Sequence, residues 1–247
     1  MTLRPLIAYV PWQLREIFPR ALVPLVLFAV FGGIPVAVAL QSAGNTAPRD
    51  AEAVGGLLRA VYLGVAPLCL TLGAFLFMTR SIAEDRERSY VRFLFAHPMA
   101  PASFYLSRYV VGLLTFLVCF LPVPLVLRAY GADVSALGAM LAMLCVFVLI
   151  GGLTTLCAAL ANKDGLALII VYVATQSLQR LATQDVLPGW VQPIARGLPP
   201  IQSLNLVTTS LLEATDWPVT DMIHVLGYGV GLLVAGLLVL RRAPLVR

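Results

Sequence analysis

Lysine is almost absent from this chain: there is one, Lys163, in the stretch LANKDG. A phosphate-cradling P-loop needs Gly-Lys followed by Ser or Thr, so the chain has no P-loop with which to hydrolyse ATP. No serine has a glycine two positions before it, which excludes a Gly-x-Ser-x-Gly nucleophile elbow. Histidine is scarce too: His97 and His224 form no metal-spaced cluster, leaving zinc chemistry without ligands. The four cysteines, Cys69, Cys119, Cys145 and Cys157, lie in apolar runs without Cys-x-x-Cys spacing, and read as small packing residues. No catalytic, cofactor-binding or metal-ligating residue can be named, and the chain is not expected to be an enzyme.

Charge is thin overall. Only 12% of the 247 residues are charged and 60% are hydrophobic, a balance that suits a bilayer better than a soluble core. The uncharged runs are Ala21–Leu40, Ala60–Thr79, Tyr109–Leu127, Val134–Asn162, Gly165–Gln179 and Met222–Leu240. Crossing ~30 Å of hydrocarbon takes about 20 mostly apolar residues, which five of these runs reach or nearly reach. Gly165–Gln179 is short, and either borrows neighbours or stops part-way. The Ala37-Val38-Ala39 triplet follows an apolar run, but that run is taken as a span and not as a cleaved signal. Ion-driven carriers place titratable groups deep in their spans, and none lies at mid-membrane here. Asp164 and Asp221 sit at span ends, and His224 is read as interfacial. Gln176 and Ser177 could line a polar pocket, although polar residues near a span end more often join helices. Gly227-x-x-x-Gly231 fits close helix approach.

The net charge of +5 encodes topology, not nucleic-acid binding. With six spans and both termini cytoplasmic, 12 of the 17 basic residues fall inside, Arg80 to Arg108 among them, and 5 outside. The expected fold is therefore all-α: an integral membrane protein of six transmembrane helices. An interfacial helix at residues 1–20 precedes a single permease-like domain, 21–247. Trp12, Leu14, Ile17 and Phe18 among Arg4, Arg15, Glu16 and Arg20 suit that interfacial helix, and Pro5, Pro11 and Pro19 predict that it is broken. Pro24, Pro35, Pro67, Pro122 and Pro124 predict kinked spans. Outside, Gln41–Arg59 reads as a polar loop of moderate length and Arg128–Asp133 as a bare turn. Residues 180–221 combine many prolines with the apolar piece IQSLNLVTTSLL, which predicts short, half-buried helices before the last span.

Against this background the stretch RSIAEDRERSYVRFLFAHP, Arg80 to Pro98, stands out for five consecutive charges. Their spacing is helical: Arg80 pairs with Glu84 and Glu84 with Arg88 at i,i+4, and Asp85 pairs with Arg88 at i,i+3. The segment can thus fold without burying a charge. Tyr90, Phe93 and Leu94 then form an apolar stripe that Pro98 terminates, and Pro101 can open another helix leading through Arg108 into the third span. Paired charges beside an aromatic edge suit a surface gripped by another protein.

The run SIAEDRERSYVRFLFAHPMAPASFYLSR, Ser81–Arg108, resembles the cytoplasmic segment between the second and third spans of type-2 ABC exporter permeases. In that family an acidic-basic cluster precedes a short helix with a leucine and a proline, then a basic residue at the start of the third span. Glu84, Asp85, Arg86, Glu87 and Arg88 match the cluster, Leu94 and Pro98 the helix and its stop, and Arg108 the basic residue, more often lysine in the family. Ser89-Tyr90 stands where the family commonly has Gly-Thr. The resemblance implies a permease that pairs with a second permease copy or homologue. It also implies two separately encoded ATPase subunits, which hold the ATP and magnesium. Coupling to them would run through 80–108, with Arg80, Glu84, Asp85, Arg86, Glu87, Arg88, Tyr90, Phe93, Leu94 and Pro98 as the candidate contact residues. Membrane lipids are expected partners and nucleic acid is not. A haem-exporter-type permease of cytochrome c maturation shares this architecture and stays open, and an ion-coupled carrier or channel is the alternative of another class.

Overall fold

In a computed structural model the chain folds into helices alone, with no strand among the described residues, which are 4–43, 51–79, 85, 101–161, 164–184, 186, 188–214 and 217–242. In chain order these are α1 (Arg4–Ala43), α2 (Ala51–Met78), α3 (Pro101–Phe120), α4 (Pro122–Ala129), α5 (Ala136–Leu160), α6 (Asp164–Thr183), α7 (Gln192–Gly197), α8 (Ile201–Glu213) and α9 (Val219–Arg242). Six stretches are long and apolar enough to cross a membrane, with α3 and α4 counting as one. The chain is an all-α membrane protein.

The core is organised around α5. Its sequence is apolar on every side, the signature of a helix surrounded by others. It packs most extensively on α9, and also meets α2, α8, α3 and α6. Ser135 caps its start, its hydroxyl accepting from Gly138 N–H at 3.0 Å. The α5–α9 contact is backbone to backbone. A Cβ on Gly152 would strike the carbonyl oxygen of Gly229, and one on Gly229 would lie 2.7 Å from that of Val148. Gly227 and Gly231, the pair expected to make such a contact, face outward with open space around them. The inward residues of α9 are Val225, Gly229, Leu233, Gly236 and Leu240, a helical stripe out of phase with that pair.

Aromatic rings lock α2 and α3 onto α5. Phe116 of α3 meets Phe77 edge-on at 5.6 Å and Phe147 at 5.3 Å, and Tyr109 meets Phe147 at 5.4 Å. Three buried threonine hydroxyls are satisfied within their own helices, as an apolar surround favours: Thr115, Thr154 and Thr155 donate to the carbonyls of Val111, Ile150 and Gly151.

Two expectations change. Pro5, Pro11 and Pro19 do not break residues 2–20, because α1 is continuous from Arg4 to Ala43. Pro5 stands in the first turn, where its missing N–H has no acceptor anyway, while Pro11 and Pro19 face outward. Nor is Gln41–Arg59 mainly loop, since α2 already begins at Ala51 and carries Arg59 on a helical turn. Of the two readings of the short run Gly165–Gln179, the first holds: α6 borrows neighbours and reaches Thr183. The third span is interrupted at Leu121, between α3 and α4 and just before Pro122, and Pro101 opens α3. Residues 130–135 make the expected tight turn, with Gly131 at φ 85°.

The short helices before the last span are present. Ile201, Leu204, Val207, Leu211 and Leu212 of α8 are buried in the bundle. The segment dips inward: Tyr228 donates to Gly197 O at 2.8 Å, and Tyr228 lies nine residues into α9, roughly 13 Å along its axis. From there α8 climbs back until Glu213 O accepts from Arg59 Nη2 at 3.1 Å.

Candidate functional site

At the opposite end of the bundle, charges collect where α1, α2 and α3 meet. Gln13, Glu16 and Arg20 lie on one face of α1, spaced three and four apart. Arg108 enters from α3 and is buried. Its guanidinium forks between two carboxylates: Nη1 donates to Asp85 Oδ2 at 3.0 Å and Nη2 to Glu16 Oε1 at 2.6 Å. The same Glu16 oxygen accepts from Arg20 Nη2 at 3.0 Å. Arg20 Nη1 also donates to Thr79 O at 3.0 Å, placing a cation on the last carbonyls of α2, where the helix dipole favours it.

Among the described residues, two carboxylates thus meet two guanidiniums in this cluster, and their formal charges balance. That balance makes its burial tolerable: an isolated charge would cost several kcal/mol, whereas a paired, hydrogen-bonded one recovers much of that cost. The planar fork matters, because a lysine ammonium could not serve both carboxylates with the same fixed geometry. Trp12 covers the group, its ring centre 6.0 Å from the Arg108 guanidinium carbon. Gln13, fully buried, donates to Ser107 Oγ at 3.4 Å.

Of the candidate residues in the charged stretch, the structure describes Asp85 alone. Arg80, Glu84, Arg86, Glu87, Arg88, Tyr90, Phe93, Leu94 and Pro98 lie outside the described residues. Asp85 departs from the reading that the segment can fold without burying a charge, since it is only 3% exposed. The local pair that its helical spacing from Arg88 suggests lies outside the described residues, and among those described its partner is Arg108, 23 residues on. Sequence reasoning placed Arg108 at the start of the third span but missed Glu16 and Arg20 as its companions. Their i,i+4 spacing was the available signal.

The far end is built differently. Gln179 of α6 donates through Nε2 to Pro199 O at 2.9 Å and accepts at Oε1 from Gln202 N–H at 3.1 Å, clamping the turn between α7 and α8. Of the polar pair expected in this region, Gln176 lines a cavity and Ser177 is exposed. His224 is exposed, edge-on to Tyr228 at 6.4 Å.

No family model, curated protein or solved structure matches this chain.

Proposed function

We propose that the chain is the permease subunit of an ABC exporter, moving its substrate with ATP hydrolysed by a separate subunit. In this account the end bearing Arg108 faces the cytoplasm, as the distribution of basic residues favours. Six spans supply the membrane path, and the missing P-loop is explained by a partner that carries one.

One observation carries the reading. Asp85, inside the charged run, is tied by Arg108 to the base of α3 and through Glu16 to α1. A segment gripped by an ATPase must deliver its displacement to the spans, and rigid ion-paired fastening at their base is a physical means of doing so. A loosely tethered loop would absorb that displacement.

The test is isolation of the tagged full chain from its native membranes in mild detergent. A P-loop ATPase is expected to copurify in equal amounts, with hydrolysis by the complex and none by the chain alone. Transport that persists after ATP depletion, driven by an ion gradient with no ATPase recovered, would overturn the assignment in favour of a carrier.

A further inference from the structure

A cavity of about 440 Å³ opens between α2, α5, α6 and α8, within the size range of sites for small organic ligands. It lies at mid-span, since Pro67 and Ile150 on its wall stand near the middle of α2 and α5. Its mouth is flanked by Leu68 and Ile169, 59% and 51% exposed on the outer faces of their spans. In a bilayer those faces meet lipid, so the opening is lateral.

The lining is mostly apolar, with four polar side chains converging on it: Thr71, Tyr172, Gln176 and Asn205. Thr71 spends its proton on Pro67 O, leaving its oxygen able to accept. Among the described residues, Tyr172, Gln176 and Asn205 have no hydrogen-bond partner in the protein. Asn205 is delivered to this depth by the dip of α8. Polar groups left without partners beside hydrocarbon are costly, and a ligand that satisfies them gains the difference. No charged side chain lines the cavity. An ionised headgroup would therefore have no counter-charge there and would stay at the interface.

We infer that this cavity binds an uncharged amphiphile drawn sideways from the bilayer, an apolar chain bearing a hydroxyl, ester or amide head. The head hydrogen-bonds to Gln176, Asn205 and the Tyr172 hydroxyl. The chain lies along Phe75 and Ile150 and leaves past Leu68 and Ile169.

The test uses the full chain in nanodiscs of phosphatidylcholine and phosphatidylglycerol, with a monoacylglycerol carrying a photoreactive diazirine in its acyl chain. Crosslinks are expected within residues 67–75 and 168–176, displaced by excess unlabelled monoolein. The double variant Gln176→Leu, Asn205→Leu should reduce saturable labelling about tenfold, the loss of hydrogen bonds to a neutral partner. Gln176→Glu keeps the shape and adds a charge, and should lose labelling as well; monodisperse elution of each variant shows that it is folded. The same diazirine chain on phosphatidylglycerol should not label the cavity saturably. Equal labelling by both probes, or labelling unmoved by the variants, would reduce the cavity to ordinary lipid contact and overturn the site. So would spontaneous disulfides between copies at Leu68→Cys and Ile169→Cys in a background without native cysteines, which would show a second copy covering the mouth. No ATPase is present in these assays, so their failure leaves the exporter assignment standing.

Discussion

The two ends of this bundle solve the same problem with opposite chemistry. Each must fasten a segment that is not a span. At one end a polar stretch is held through Asp85 by ion pairs that converge on a single buried guanidinium, Arg108. At the other, α8 is held by an apolar face of five large side chains and by bonds to backbone carbonyls from the neutral Gln179 and Tyr228 and from the Arg59 guanidinium, with no buried carboxylate among them. Fastening by ion pairs concentrates the cost of failure in one residue, whereas apolar burial spreads it.

Substitutions can break or sharpen that contrast. The largest effect is expected from Arg108→Ala, which takes the buried guanidinium from buried Asp85 and half-buried Glu16 and should cost about 3–5 kcal/mol. Thermal unfolding followed by tryptophan fluorescence measures it. Arg108→Lys should recover only part, because an ammonium lacks the fork. If Arg108→Ala unfolds like the parent protein, the concentrated design is wrong.

Next comes Gly152→Val, which belongs to neither end. It drives a side chain into the Gly229 carbonyl and is expected to destabilise by about 1–3 kcal/mol or more, since overpacking two helices in backbone contact forces them apart. Gln179→Ala removes two neutral bonds and should cost about 1–2 kcal/mol, with faster deuterium uptake confined to the turn before α8. A loss there as large as that of Arg108→Ala would erase the difference between the ends. The smallest effect is expected for Gly227→Ala, within about 0.5 kcal/mol, because open space surrounds that position.

Much of the fold was legible because membrane spans announce themselves locally. Val134–Asn162 was readable as a span from its length and lack of charge, and its lack of a polar face is the signal that fits its central place. Proline was less readable: the third span is interrupted just before Pro122, yet α1 runs unbroken through Pro11 and Pro19, both on its outward side. The glycine pattern misled for a related reason, as spacing alone does not fix which side of a helix faces its neighbour. Gly229, in no recognisable motif, makes the contact. The buried charges were least visible. Glu16 and Arg108 are 92 residues apart, and only the antiparallel course of α1, α2 and α3 brings them together.

The central claim is that the charged stretch anchored by Arg108 docks a separate ATPase. Reversal of Glu84 and Glu87 to Lys tests it most directly, measured by recovery of the ATPase with the tagged chain and by transport in the same membranes. Exposed i,i+4 pairs contribute only about 0.2–0.5 kcal/mol each, so the variant should reach the membrane at normal abundance. Like charges across an interface cost several kcal/mol, so little ATPase should be recovered and transport should fail, with Asp85 and Arg108 untouched. Normal ATPase recovery together with normal transport would contradict the claim and return the stretch to a merely solvated loop.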